Sequence, residues 1–360
     1  MSDTNGSGPN DVDAPDAVVD ALERGDRSHL PTALRRLAER PDATGRKEAL
    51  RAVRGAAEDR PDAVAPAVEA LAPFLVADDR AVRLTVAKLF AALAERRPTA
   101  VLSVASTLAD RLADDGEFYY VRARCAEALG YVATEEPEEV ATPELLADLR
   151  VGLAFDEPEV RRKLAKALAA VATGDPERLA HQVESLAEHL DDGEPLVRYH
   201  LCTALVVVGC ERPSRLSTAA DALAARLHDE EPHVRGRAAE ALGLLARVDE
   251  NEDPSDSVLP AGVDLRAALA DAVENADADG DAAAFLRTRV RFAEAALDDA
   301  GEANDGRRVD DGVASVAAIR EHTDAVVEAM MRPEEGACPH CDAPLPDGDL
   351  PMCPHCGAPR

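Results

Sequence analysis

The sequence predicts an all-α fold, a solenoid of stacked antiparallel helix pairs that ends in a small metal-binding tail. Three observations predict it. Two unrelated residue types recur on one period of 37 to 39 residues, the apolar residues are nearly all small or aliphatic, and two Cys-x-x-Cys pairs stand near the end of the chain.

The period comes first, because self-similarity at about 20 to 50 residues marks repeat architectures. A Val-Arg pair stands at Val82-Arg83, Val121-Arg122, Val160-Arg161, Val197-Arg198 and Val234-Arg235, with spacings of 39, 39, 37 and 37. Proline keeps the same interval at Pro61, Pro98, Pro137, Pro176 and Pro213, and each from Pro98 onward lies 16 residues after a Val. Val or Leu follows at the third position (Val64, Val101, Val140, Leu179, Leu216), so the proline reads as the first turn of a helix, where its missing N–H removes no bond. The helix begun at Pro176 would carry Leu179, Val183, Leu186 and Leu190 on one stripe and stop at Asp191-Asp192-Gly193.

A second helix follows in each unit. Its start is written Asp156-Glu157-Pro158, Glu194-Pro195 and Glu231-Pro232, acidic residues and a proline that suit the positive end of the helix dipole. Asp79-Arg80 and Phe118-Tyr119 hold that place in two other units. Counting from the Val, apolar residues return at +8 (Phe90, Leu129, Leu168, Leu205, Leu242) and +11 (Leu93, Val132, Val171, Val208, Leu245). Position +5 stays small (Ala87, Ala126, Ala165, Cys202, Ala239), which lets a neighbouring helix approach closely. A single pair cannot bury its own stripe, so the units must stack.

Composition agrees. Apolar residues make up 46% of the chain and aromatics 3%, with no Trp, so the interior is built from Ala, Leu and Val, which favours close-packed helices over sheets. The formal charge of −30 sets 70 acidic against 40 basic residues, and Lys47, Lys88, Lys163 and Lys166 are the only lysines. An acidic, lysine-poor surface resembles those of extreme halophiles; an ordinary acidic protein is the competing reading. In molar salt the Debye length falls to roughly 3 Å, so net charge argues only weakly against nucleic acid. No apolar run reaches the about 18 residues of a membrane span, and the first ten residues lack the pattern of a signal peptide, so a cytoplasmic location is expected.

The run Asp156-Glu157-Pro158-Glu159-Val160-Arg161 through Ala165 to Leu168 resembles the second helix of HEAT repeats, including their PBS-lyase-like branch. The resemblance covers roughly residues 46–248, with a degenerate unit near 45–60. It implies a superhelix of about six repeats whose second helices line the concave side, and Val-Arg arginines that bond the turns of neighbouring repeats. The domains expected are a disordered N-terminus (1–15), the HEAT-like solenoid (16–250), a divergent terminal repeat with capping helices near 263–275, 285–298 and 313–331 (251–332), and the tail (333–360).

In that tail, Cys338-Pro339-His340-Cys341 and Cys353-Pro354-His355-Cys356 stand eleven residues apart. Four thiolates from two turns form the tetrahedral soft donor set of one structural zinc, and Cys338, Cys341, Cys353 and Cys356 are its expected ligands in a short zinc ribbon. Iron of the rubredoxin kind is the competing metal, disfavoured because the tail lacks aromatic shielding. His340 and His355 read as spacers. Cys125, Cys202 and Cys210 fall on helices, where small buried hydrophobes are expected.

One further pattern bears on function. Facing away from the Val, the second helices carry Arg124, Lys163, His200 and Arg237 at +3, Arg162 and Tyr199 at +2, Lys88 and Lys166 at +6, and Tyr131 at +10. The plain reading is a solvated face with scattered charge, interrupted by Glu127 and Glu240. The competing reading is a partner-binding strip of Arg124, Tyr131, Arg162, Lys163, Lys166, Tyr199, His200 and Arg237, fit for an acidic peptide, a protein surface or a phosphate backbone. No phosphate loop, nucleophile elbow or His-Glu-x-x-His motif is present. The function expected is therefore a non-enzymatic scaffold that recruits protein partners through its surface and the tethered ribbon. Resemblance alone supplies an enzyme alternative, a bilin lyase. Nucleic-acid binding is the third reading, disfavoured because the ribbon loop 342–352 has no Lys or Arg and three Asp.

Overall fold

The computed structural model describes residues 14–40, 42–248, 259–260, 262–274, 280–299 and 312–331. The described residues form helices and turns without a strand. Two helices open the array, α1 (Ala14–Glu23) and α2 (Leu30–Ala38). Helix α1 takes in Ala14 and Pro15, so the helical array begins inside the segment 1–15 expected to be disordered.

The second helices of the repeats form an unbroken inner layer. They are α3 (Ala43–Asp59), α4 (Arg80–Arg96), α5 (Tyr119–Ala133), α6 (Pro158–Gly174), α7 (Pro195–Glu211) and α8 (Pro232–Ala246), each packed on the next. Three of the six starts, at Asp42, Asp79 and Glu231, carry a side-chain cap. Asp79 accepts bonds from the N–H groups of Ala81 (2.8 Å) and Val82 (3.0 Å), and Asp42 does the same for Thr44 (3.0 Å) and Gly45 (2.9 Å). The small positions matter where α5 meets α6: a Cβ on Gly130 would stand 2.7 Å from the Ala167 Cα.

The first helices form the outer layer and are shorter than the periodicity suggests. In place of one helix from Pro176, residues Pro176–Leu179 form a 3-10 turn and Val183–Ala187 a short α-helix. The stripe survives the break, since Leu179, Val183, Leu186 and Leu190 are all buried. In the unit that starts with Pro61–Val64, Pro66 and Pro73 remove N–H donors and fall in the 3-10 segments Ala65–Ala67 and Ala72–Val76.

Three of the five Val-Arg arginines bond the turns of neighbouring repeats, as the resemblance implies. Arg161 donates to the carbonyls of Phe155 (2.8 Å) and Asp156 (2.9 Å) in its own turn, and to both carboxylate oxygens of Asp192 (2.7 and 3.1 Å) in the next. Arg83 bridges Ala77 and Glu117 in the same manner, and Arg198 bridges Asp192 and Asp229. Arg83, Arg161 and Arg198 thus fasten one interhelix turn to its neighbour by charge-assisted bonds, whereas Arg122 bonds Leu112 and Asp115, and Arg235 bonds Asp229 and Glu230, within their own units. Gly45-Arg46, 37 residues before Val82-Arg83, begins the ladder: Arg46 donates to the Ala38 carbonyl at 3.2 Å.

After α8 come α9 (Leu265–Glu274), α10 (Asp281–Asp299) and α11 (Val316–Met330). Helix α10 packs along α8 as the next inner helix, while α11 lies against α7 and α6. No described helix is long and apolar enough to cross a membrane.

Candidate functional site on the inner face

The inner face divides into a closed C-terminal half and an open N-terminal half. At the closed end the deciding residue is Glu240, fully buried on α8. It accepts bonds from Arg237 Nη1 (2.8 Å), Arg289 Nε of α10 (3.0 Å) and the backbone N–H of Ala314 (2.7 Å). Burial alone would raise its pKa, but Arg237 and Arg289 outweigh that and hold it below the usual carboxylate range. The bond from Ala314 fixes the approach to α11, whose first turn is capped by the Ser315 hydroxyl. Farther along, Arg320 of α11 pairs with Glu135 beyond the end of α5.

This arrangement relocates three of the eight strip residues. Tyr199, His200 and Arg237 are 0, 1 and 0% exposed, so they are interior groups and not free to meet a partner. Phe285 of α10 covers Arg237, their guanidinium and ring lying 5.4 Å apart, and Arg237 donates to the Tyr199 hydroxyl at 3.3 Å. His200 is held neutral, its pKa lowered to about 3 by burial and then by Lys166, Arg162, Lys163 and Arg237. A signal for this closure stood in the sequence. Helix α7 carries Thr203 at +6, where the other units have Lys88, Glu127, Lys166 and Glu240, and positions 196–209 are all buried; a helix largely apolar all round needs cover on every side.

The open half gathers others of the eight. Arg124, Tyr131 and Lys166 line a cavity of about 390 Å³ together with Arg54, Glu58, Lys88, Ala91, Ala92, Glu95 and Glu127. Four successive inner helices, α3 to α6, supply these walls. Lys166 Nζ donates to the Tyr131 hydroxyl at 2.7 Å, and that hydroxyl donates to Glu95 at 2.9 Å. Burial, then Glu95 and Glu127, push the Tyr131 phenol well above its ordinary range, so it stays protonated. Glu127 is held between Arg124 (2.8 Å) and Lys163 (3.1 Å). Lys163 is therefore committed to an ion pair beside the cavity, and Arg162 is half-buried near His200.

Sequence reasoning left Arg54 out of the strip. Counting 37 residues back from Val82 reaches Gly45 and places Arg54 at +9 of a unit whose signature lacks the Val. Lys88, at +6, lies outside the eight-residue strip as well.

The thiols described are buried or half-buried. Cys202 and Cys210 are pushed up to about 12 by burial, and Cys125 is raised further, so none is a ready nucleophile or metal ligand. Cys338, Cys341, Cys353 and Cys356 lie outside the described residues.

A family model of HEAT repeats matches residues 183–285. That span runs from the outer helix preceding α7 into α10, and covers the signature copies at Val197-Arg198 and Val234-Arg235. Among solved structures, an engineered protein is 20% identical with a TM-score of 0.56, covering 89% of this chain and 92% of that one. A designed armadillo repeat protein, YIII(Dq)4CqI, is 21% identical with a TM-score of 0.52, covering 60% and 99%. A second designed armadillo repeat protein, in complex with the peptide (KR)4, is 20% identical with a TM-score of 0.50, covering 65% and 100%. At these identities the likeness is one of fold, an α-helical repeat solenoid. No curated protein matches the chain.

Proposed function

We propose that the protein is a non-enzymatic scaffold that docks a protein segment on the open half of its inner face. The observation that carries this reading is the cavity across α3 to α6, polar in its walls and floored by Ala91 and Ala92. Small residues there leave room for a ligand backbone, while the Arg and Tyr side chains around them are the types that anchor interfaces. A solved repeat protein of the same fold holds a peptide, which lends support to that mode of use.

The tail adds a second contact point in this reading. Four cysteines at the spacing described suit one zinc ion, which would fold a segment with almost no apolar core of its own; comparable peptides gain about 10–16 kcal/mol from the metal. Cys338, Cys341, Cys353 and Cys356 would hold it, and the knob so formed would recruit protein, in keeping with its acidic loop.

Affinity capture at the host's own salt concentration tests both parts. The intact protein should retain a specific partner, Ala92→Arg should lose it by filling the cavity, and Cys338→Ser/Cys341→Ser should lose any partner held by the tail. Equal retention by all three baits, or turnover of a small molecule by the intact protein, would contradict the scaffold reading.

A further inference from the structure

The cavity on the open inner face has an imbalance that its own hydrogen bonds do not settle. Its carboxylates are all engaged: Glu58 with Arg54 (3.4 Å), Glu95 with the Tyr131 hydroxyl (2.9 Å), and Glu127 with Arg124 and Lys163 (2.8 and 3.1 Å). Lys88 is not. Among the described residues it makes no side-chain hydrogen bond and has no carboxylate within ion-pair distance. The carboxylate that acts on it from farther off, Glu159, already pairs with Arg124 at 3.4 Å.

Its surroundings oppose its charge. Partial burial, then the guanidiniums of Arg124 and Arg54, lower the Lys88 pKa from the ordinary lysine value. A half-buried ammonium facing two like charges is unfavourable in the empty groove and becomes favourable when an anion enters. The chain has only four lysines on a body of net charge −30, yet two of them, Lys88 and Lys166, line this one cavity with two arginines.

We propose that the cavity is an anion site, centred on Lys88 and walled by Arg54, Arg124 and Lys166, that takes a carboxylate side chain of a docking protein segment. This inference rests on the docking reading above and names the partner's chemistry. A nucleic-acid strand suits the surface less, because Glu58, Glu95, Glu127 and Glu159 interleave with the cations and would face successive phosphates. A single carboxylate meets the cations without that conflict, and charge-assisted bonds to Arg and Lys are the strong kind. The chain's own helix supplies a parallel: α11 lies along the adjoining inner face and brings Asp324 near enough for its charge to act on Tyr131 at the cavity wall.

Fluorescence anisotropy on the full chain, at low and at molar KCl, tests this with a fluorescein-labelled peptide of Glu and Ala, its Gln counterpart and an oligothymidine. The Glu peptide should bind and the Gln peptide should not. Lys88→Gln should weaken binding roughly ten-fold, the effect of one charge-assisted bond, while Lys88→Arg retains it and Arg36→Gln, an exposed change elsewhere, leaves it unaltered. Binding of the Glu peptide that Lys88→Gln does not change would overturn the site and leave the docking reading intact. Preference for the oligothymidine would overturn it in favour of phosphate. Failure of both probes would also overturn it, with the docking reading still judged by Ala92→Arg in the capture experiment.

Discussion

Glu240→Gln is the sharpest perturbation available at the closed end. The carboxylate is wholly buried and answers Arg237 (0% side-chain exposure) and Arg289 (7%), with Ala314 as its third donor. Removing the charge leaves two buried guanidiniums facing no anion among the described residues. Breaking a buried pair from one side costs about 3–5 kcal/mol, a large share of the about 5–15 kcal/mol that holds a typical domain. In a repeat array such a loss stays near its source, because each unit contacts only its neighbours. Urea unfolding combined with amide hydrogen exchange should therefore show protection falling in α8, α10 and α11 while α3, α4 and α5 keep theirs. A loss under about 1 kcal/mol, or one spread evenly over the chain, would refute the role given to Glu240 in closing the inner face.

Further outcomes follow from the same contacts. His200 titrates near 6.5 when unfolded and about 3 when folded, so the unfolded state binds the extra proton between those values and stability falls as pH drops through that window. From pH 8 to pH 4.5 the loss should be roughly 3 kcal/mol, and His200→Leu should abolish that component in pH-dependent unfolding; an unchanged profile would show His200 to be solvated. Gly130→Ala and Gly55→Ala should have opposite signs. At Gly130 a Cβ strikes the Ala167 backbone and overpacking by about 1–3 kcal/mol outweighs the helix gain, whereas at Gly55, with nothing within 4 Å, the gain of about 1 kcal/mol stands alone; thermal melts that rank them the other way would contradict the packing of α5 on α6. Elemental analysis should find one zinc per chain, lost in Cys338→Ser/Cys341→Ser without a change in the helical melt; iron, or no metal, would contradict the tail assignment.

The long helices were legible because two constraints wrote themselves into each unit. The buried Val and the turn-bonding Arg cannot drift apart, and Leu265–Glu274, Asp281–Asp299 and Val316–Met330 fall close to the spans expected from local periodicity. The outer helices were less legible, since a proline start and an apolar stripe are compatible with short α and 3-10 pieces as well as with one helix. The site was legible in part. Arg124, Tyr131 and Lys166 meet in one cavity because helices a period apart lie side by side, but Tyr199, His200 and Arg237 share the same register and are sealed. Register places a side chain on a face; it says nothing about a later helix crossing that face. The apolar circumference of α7 carried that information, and it concerned three-dimensional cover instead of period.

The central claim, that partners meet the open inner face, is tested most directly by photo-crosslinking from two positions in the full chain. A crosslinking residue at Ala92, on the cavity floor, should trap the captured partner. One at Val151, 61% exposed at the end of the outer helix Pro143–Val151, should not. Crosslinks from Val151 and none from Ala92 would contradict the account.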